Sequence, residues 1–409
     1  MTESRLPSSD VQVDPARLAS LKTRFTQVFP QVRDSRSLRL FSAPGRAEIG
    51  GNHTDHQQGR VLAAAVDLDM LCLAAPNDLD VIRIDSLGYH EISLDSLQPR
   101  EQEINTTPAL IRGIASRCME QGYKVSGFDA CITSSVLKGS GLSSSAAFEI
   151  AVAFMINKLF NLGHIDPVTL AQIAVYAENV YFDKPCGLMD QLTSSVGGFV
   201  LIDFADPKNP QIEPLDFDFS HSGHVLCVTG PLGSHEDLTH AYSAITSEMR
   251  SVASYFGKAF LREVDPSTFY ADQPELRGKL PDRALLRAVH FFAENRRAFH
   301  EAEALRSGNF KEFLRLVNES GRSSYQYLQN VYHGDDMTLA TALAESERIL
   351  DGAGAFRVHG GGFSGTILAF VPYEKLDAYT QAMDRMYGAG SCHVLSIRNA
   401  GACELEVPL

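Results

Sequence analysis

The chain has 409 residues, 44% of them hydrophobic and 21% charged, which supplies enough apolar side chains for a large packed core and excludes a disordered or fibrous protein. At roughly 100–150 residues per domain, that length predicts two domains with a cleft between them. A balance of 36 Lys plus Arg against 50 Asp plus Glu leaves a formal charge of −14 with no basic cluster, which argues against nucleic acid and anionic lipid as partners.

From Met1 to Leu21 the charges are scattered, with no apolar core of about 7–15 residues before a cleavage site, and no later run reaches about 18 apolar residues. Neither a leader nor a membrane span is expected. The cysteines at 72, 118, 131, 186, 227, 392 and 403 are odd in number and form no C-x-x-C pair, so neither a disulfide framework nor a zinc ribbon is expected, and a reducing cytoplasm is.

In chain order, the spacing of Leu18, Leu21, Phe25 and Phe29 predicts a helix, and residues 39–43 a strand broken by Pro44-Gly45. Apolar runs at 61–75 and 127–133 predict strands. Helical periodicity covers 145–162, with Ala147, Ile150, Ala151, Phe154, Ile156 and Leu159 on one side, and resumes over 167–180. Strands follow at 198–204, 212–219 and 224–229, then a helix-rich stretch from 237 to 349. Strands at 355–358 and 366–371, a helix at 375–387 and a strand at 393–397 close the chain. The pattern is α+β without internal repeats, divided near residue 214 into domains 1–214 and 215–409.

Three segments carry chemistry. Leu137-Lys-Gly-Ser-Gly-Leu-Ser-Ser-Ser-Ala-Ala joins a strand to a helix, where glycines let backbone amides approach an anion and the helix N-terminus adds unpaired donors. One of Ser143, Ser144 and Ser145 could ligate magnesium, a hard cation that prefers oxygen; the alternative is a turn whose serine caps the helix. It is not a Walker loop, since Gly-Lys-Ser/Thr is absent, nor a G-x-S-x-G elbow. Gly360-Gly-Gly-Phe-Ser-Gly365 satisfies G-x-G-x-x-G, but the strand-like Thr366-Ile-Leu-Ala-Phe-Val follows instead of a helix, so it reads as a hairpin connection or a loop pressed against a ligand.

Residues 44–56 concentrate polar groups able to bracket a polyol, the rivals being a metal site from His53, Asp55 and His56 or a solvated loop. Near Glu178, the segment Pro185-Cys-Gly-Leu-Met-Asp190-Gln191 sets Asp190 beside apolar Leu188 and Met189. Burial there would make Asp190 depend on a cation, for which Arg46 is a candidate; the alternative is a surface carboxylate. In His235-Glu-Asp-Leu-Thr-His240 the histidines fall about 140° apart around a helix, so a zincin site is excluded.

In order, Ala43-Pro-Gly-Arg with Gly51-Asn-His-Thr-Asp, Gly139-Ser-Gly-Leu-Ser-Ser-Ser-Ala, Pro185-Cys-Gly-Leu-Met-Asp-Gln and Gly360-Gly-Gly-Phe-Ser-Gly resemble the motifs of the galactokinase branch of the GHMP small-molecule kinases, over about residues 40–370. The resemblance implies a two-domain GHMP kinase fold, with the active site in the cleft, that transfers the ATP γ-phosphoryl group to the anomeric C1 hydroxyl of galactose. It casts Asp190 as the base and Arg46 as its partner. It gives Gly139, Ser140, Gly141, Leu142, Ser143, Ser144 and Ser145 to the phosphates, and Ser145 with Glu178 to Mg2+. Asn52, His53, Asp55, Gly187 and Tyr242 fall to the sugar, and the expected state is a monomer or weak homodimer.

The family usually has Glu where Asn52 stands, Val-Asn-Leu-Ile where this chain has Ala47-Glu-Ile-Gly, Tyr where His56 stands, and Ser-Leu-Arg-Asp-Asp-Tyr where it has Ser320-Gly-Arg-Ser-Ser-Tyr325. A neutral amide at 52 removes a carboxylate that would repel a charged sugar, so a galactose modified at C6, such as galacturonate, is the alternative substrate. A silent galactose- and ATP-binding regulator is the alternative of another class.

Overall fold

The computed structural model describes residues 11–32, 37–86, 88–137, 139–184, 186–232 and 238–407. Helix α1 (Pro15–Val28) is capped by Asp14, whose carboxylate accepts from the Ala16 amide, and it buries Leu18, Leu21 and Phe25. Strands β1 (Arg39–Gly50), β2 (Arg60–Pro76), β3 (Val81–Asp85) and β4 (Tyr89–Ser93) precede α2 (Thr107–Glu120), then β5 (Phe128–Ser134), α3 (Ser144–Phe160), α4 (Pro167–Tyr176) and α5 (Met189–Val196). Strands β6 (Phe199–Asp203), β7 (Gln211–Leu215) and β8 (His224–Leu232) lead to α6 (Thr239–Tyr255), α7 (Pro266–Leu276), α8 (Asp282–Arg306), α9 (Phe310–Ser323) and α10 (Thr338–Leu350). Last come β9 (Ala355–His359), β10 (Gly365–Pro372), α11 (Leu376–Tyr387), β11 (Cys392–Leu395) and β12 (Cys403–Leu405).

One eight-stranded sheet runs β12-β1-β2-β5-β3-β4, with β6 pairing β2 and β7; a four-stranded sheet runs β11-β8-β10-β9. Among the described residues, β3 with β5 is the only parallel pair in these sheets. The terminal strand β12 returns to β1, so it lies across the expected boundary at 214 from the sheet it completes. The core crosses that boundary as well. Ala302, Leu305, Phe313 and Phe370 belong to the same buried cluster as Leu62, Ile150 and Phe199.

Strand β1 does not break at Pro44-Gly45. It bulges, shifting register between Pro44 and Arg46 and again between Glu48 and Gly50. Proline, which has no amide to give the ladder, sits at the first irregularity. Released from β2, the Arg46 amide donates to the Leu142 carbonyl (3.0 Å). A Cβ on Gly45 would stand 2.9 Å from that carbonyl oxygen, so glycine lets the strand lie directly on the glycine-serine loop.

Helix α3 was expected to bury one face, yet every residue from Ala146 to Asn157 is buried. Its apolar residues are spread around the whole circumference, as befits a helix enclosed by sheet and helices. It is the central pillar that holds the loop before it in place.

Candidate active site

The glycine-serine loop takes positive φ at every second position, Gly139 (+74°), Gly141 (+72°) and Ser143 (+57°). Such alternation turns successive amides toward a common concavity of the kind that receives anions. Ser143 ends the loop as the N-cap of α3, but its side chain does not cap the helix. Its hydroxyl donates instead to Asp190 Oδ2 (2.6 Å), so a serine in a left-handed conformation is held by a contact outside its own helix. Ser140 is turned inward, donating to the Leu137 carbonyl (2.8 Å).

Asp190 sits in the first turn of α5. Its other oxygen, Oδ1, accepts from Arg46 Nε (2.7 Å), and Arg46 also donates to the Gly141 carbonyl. Burial pushes the Asp190 carboxyl up, but the Arg46 charge and hydrogen bond and the Ser143 hydroxyl outweigh it and hold the group below its ordinary value. The expected pairing of Arg46 with Asp190 is thus found, with Ser143 as a third member.

Behind Asp190 lies a buried acidic cluster. Glu178, in a π-helical turn (Ala177–Tyr181), accepts from Lys184 Nζ (2.5 Å) and Gln191 Nε2 (2.7 Å); Gln191 Nε2 also reaches Glu149 Oε2 (2.9 Å). Burial, then the neighbouring Glu178 charge, pushes the Glu149 carboxyl up. Glu149 Oε1 and Gln191 Oε1 are buried without a partner. Among the described residues no recorded hydrogen bond ties down the hydroxyls of Ser144 and Ser145. Cys186 joins the cluster through Gln191, and burial pushes its thiol up.

A cavity of about 250 Å³ is lined by Glu48, Asn52, His53, Asp55, His56, Tyr242, Thr246, Gly360 and Gly361. Thus β1, the short helical turn after it, α6 and the β9–β10 connection all contribute walls. His53 pairs through Nε2 with the Gly361 carbonyl (2.9 Å), and burial followed by the neighbouring His56 lowers its pKa to about 3. Tyr242 donates its hydroxyl to the Gly362 carbonyl (2.9 Å). A Cβ on Gly187 would lie 3.2 Å from Asp55 Oδ2, which places the start of the Asp190 segment against this cavity.

Asn52 is fully buried, and its amide is saturated. Nδ2 donates to Glu48 Oε1 (2.7 Å) and the Gly360 carbonyl (2.7 Å), while Oδ1 accepts from Asn330 Nδ2 (2.8 Å) and Ser324 Oγ (3.3 Å). With four hydrogen-bonding positions filled from within the chain, the expected sugar contact has no valence left for a sugar. This corrects the sequence expectation for Asn52.

Two groups that sequence reasoning missed tie the loops together. The Glu48 amide donates to His359 Nε2 (3.2 Å), so the proton of this imidazole is on Nδ1, which meets Thr366 Oγ1 (2.9 Å); that hydroxyl in turn donates to the Ser140 carbonyl (3.0 Å). Burial, then the Arg46 charge, lowers the His359 pKa to about 3 and keeps it neutral. The glycine connection at 360–364 is indeed a hairpin between β9 and β10, pressed against Tyr242 and Asn52. His235 and Glu236 lie outside the described residues, and among the described residues no three or more His, Cys, Asp or Glu side chains are arranged to hold a metal by themselves.

Residues 109–198 match the model of the GHMP kinases N terminal domain, and residues 23–76 that of the galactokinase galactose-binding signature. The chain is 31% identical over 375 residues to a galactokinase of Glaesserella parasuis, covering 90% of this chain and 92% of that one. It is also 31% identical over 382 residues to a galactokinase of Roseiflexus sp., covering 90% and 91%. The structure superposes on Lactococcus lactis galactokinase complexed with galactose with a TM-score of 0.77 at 24% identity, over 94% of this chain and all of that one. On a mevalonate kinase the TM-score is 0.61 at 14% identity, over 88% and 99%.

Proposed function

This chain belongs to the galactokinase family of the GHMP kinases, and we propose that it transfers the γ-phosphoryl group of ATP to the anomeric C1 hydroxyl of galactose. The observation that carries the reading is the junction of Arg46, Asp190 and Ser143: Ser143 belongs to the phosphate-type loop before α3, and the Asp190 segment begins at Gly187, against Asp55 of the cavity. Residues 139–145 offer backbone amides and the N-terminal end of the 17-residue helix α3 to the phosphates, so a chain of net charge −14 receives a polyanion without a basic surface. The sugar sits against His53, Asp55, Gly187 and Tyr242.

Asp190 stays ionised at neutral pH and accepts the hydrogen bond of the C1 hydroxyl. As that oxygen attacks the γ-phosphorus, its proton passes to the carboxylate, the new O–P bond forms, and the bond to the β-phosphate oxygen breaks to release ADP. Arg46 neutralises the carboxylate before transfer and faces the charge that develops on the phosphoryl group. Positioning supplies much of the rate in such a transfer.

The acidic cluster fits a magnesium ion by its chemistry: hard oxygen donors, orphaned Glu149 Oε1 and Gln191 Oε1, and on Glu178 a Lys184 ammonium standing where a cation is wanted. Ser145 and Glu178 would hold it. When bound, magnesium neutralises phosphate charge. Retention of the Arg46–Asp190 pair supports catalysis over silent binding. All seven cysteines are free, as a reducing compartment would leave them, and no described helix is long and apolar enough to cross a membrane.

The test is ADP release, coupled to a spectrophotometric readout, with galactose, galacturonate, N-acetylgalactosamine and arabinose. Galactose should be turned over most efficiently. Absence of turnover with galactose would sink the reading.

A further inference from the structure

Of the two carboxylates around the sugar cavity, Glu48 is the one to which neither the motif reading nor the phosphoryl transfer gives a task. It stands between the two irregularities of β1, 7% exposed, and its side chain reaches the cavity wall. One oxygen, Oε1, accepts from Asn52 Nδ2 (2.7 Å) and from Arg357 Nη2 (3.2 Å). The other, Oε2, makes no hydrogen bond among the described residues and is not fully enclosed by the protein. It therefore has access to the cavity.

We propose that Glu48 is the specificity-determining acceptor of the sugar cavity: its Oε2 takes a hydroxyl of a neutral hexose, and its charge rejects a sugar that presents a carboxylate there. The proposal rests on the galactokinase reading and deepens it. Asn52 acts as a positioning residue that holds the Glu48 carboxylate from the side.

The charge balance around the cavity supports this. Two carboxylates, Glu48 and Asp55, line it and no Lys or Arg does. Of the guanidinium groups nearby, Arg357 is committed to Glu48 and to the carbonyls of Ile49 (2.6 Å) and Val358 (3.0 Å), Arg46 to Asp190 and the Gly141 carbonyl, and Arg287 to Glu248, while Arg250, whose charge reaches His56, lies over the Phe260 ring. A uronate entering this space would meet two carboxylates with no Lys or Arg among the lining residues to pair it, an arrangement that disfavours a charged ligand. The vacancy for a sugar carboxylate that an amide at position 52 suggests is thus closed four residues earlier.

The experiment measures KM and kcat for galactose and galacturonate with the wild type, Glu48→Gln, and the double variant Glu48→Asn/Asn52→Glu, with thermal melting as the folding control. The wild type should use galactose and reject galacturonate. Glu48→Gln should raise the galactose KM about tenfold or more while kcat moves by less than about threefold, and should raise galacturonate turnover relative to galactose about tenfold. The double variant, which returns a carboxylate to the other end of the same hydrogen bond, should recover most of the lost galactose affinity.

A folded Glu48→Gln protein with unchanged KM and unchanged sugar preference would overturn the proposal, as would a wild type that uses both sugars equally well. If Glu48→Gln does not fold, a folded double variant with no galactose affinity overturns it and a recovered one supports it. A wild type inactive on galactose would instead defeat the galactokinase reading itself.

Discussion

Thr366→Val removes one hydroxyl while keeping the branched shape of the side chain. In the wild type that hydroxyl accepts from His359 Nδ1–H and donates to the Ser140 carbonyl. Thr366, His359 and Ser140 are 1%, 2% and 1% exposed, so water cannot replace either bond. A buried donor and a buried acceptor are both left unpaired, at about 1–3 kcal/mol each, for an expected destabilisation of about 2–6 kcal/mol. Urea unfolding of wild type and variant would measure it. Since the broken links hold the glycine-serine loop from one side and the Glu48 amide from the other, the KM for ATP should rise about threefold or more, with a smaller change for galactose. A stability change below about 0.5 kcal/mol, with both KM values intact, would refute the relay of hydrogen bonds that joins the three loops.

Ser143→Ala takes one of the hydrogen bonds that hold the Asp190 carboxyl down. The acid limb of kcat, which lies below Asp190's ordinary value of 3.8 in the wild type, should shift upward, with about a tenfold loss of kcat/KM; an unmoved acid limb would count against the contact. Gly361→Ala would place a Cβ 2.5 Å from Tyr242 Cε1, forcing the ring off the Gly362 carbonyl. The galactose KM should rise about three- to tenfold while the ATP KM stays put, and equal shifts in both would argue for a general distortion. His53 and His359, each lowered from 6.5 to about 3, stay neutral in the folded chain while the unfolded chain protonates them. Their contribution to stability is intact above pH 6.5 and falls as pH drops toward 3, by about 2 kcal/mol for each residue at pH 5. Imidazole NMR signals that titrate between pH 6 and 7 in the native protein would contradict this.

The elements that the sequence announces are those with a local signal. The Phe199–Asp203 and Gly365–Pro372 strands are β-branched and apolar, and the helix from Ser144 follows a glycine-serine loop. Elements whose signal is tertiary stay hidden. Helix α2 buries Arg112 against Glu103, which blurs its periodicity; α5 is eight residues long; β12 is three residues completed only by pairing with β1. Pro44 reads as a breaker because nothing local says that the bulged strand finds its next hydrogen bond on Leu142.

The candidate site divides in the same way. Arg46, Asp190 and the loop from Gly139 stand in contiguous motifs, so their chemistry is visible in one dimension. His359, Thr366 and Glu48 act across separations of four to more than 300 residues, and a saturated amide at Asn52 is a property of four partners instead of one residue. Reading Asn52 alone suggests room for a charged sugar; reading it with Glu48 suggests the opposite.

The central claim is phosphoryl transfer to the C1 hydroxyl with Asp190 as the base. Phosphorus NMR of ATP and galactose incubated with the wild type and with Asp190→Ala, both checked by circular dichroism, tests it directly. The wild type should produce galactose 1-phosphate and ADP, and the folded variant should produce neither above background. A normal rate of galactose 1-phosphate formation by Asp190→Ala, or a wild-type product phosphorylated at another hydroxyl, would contradict the account.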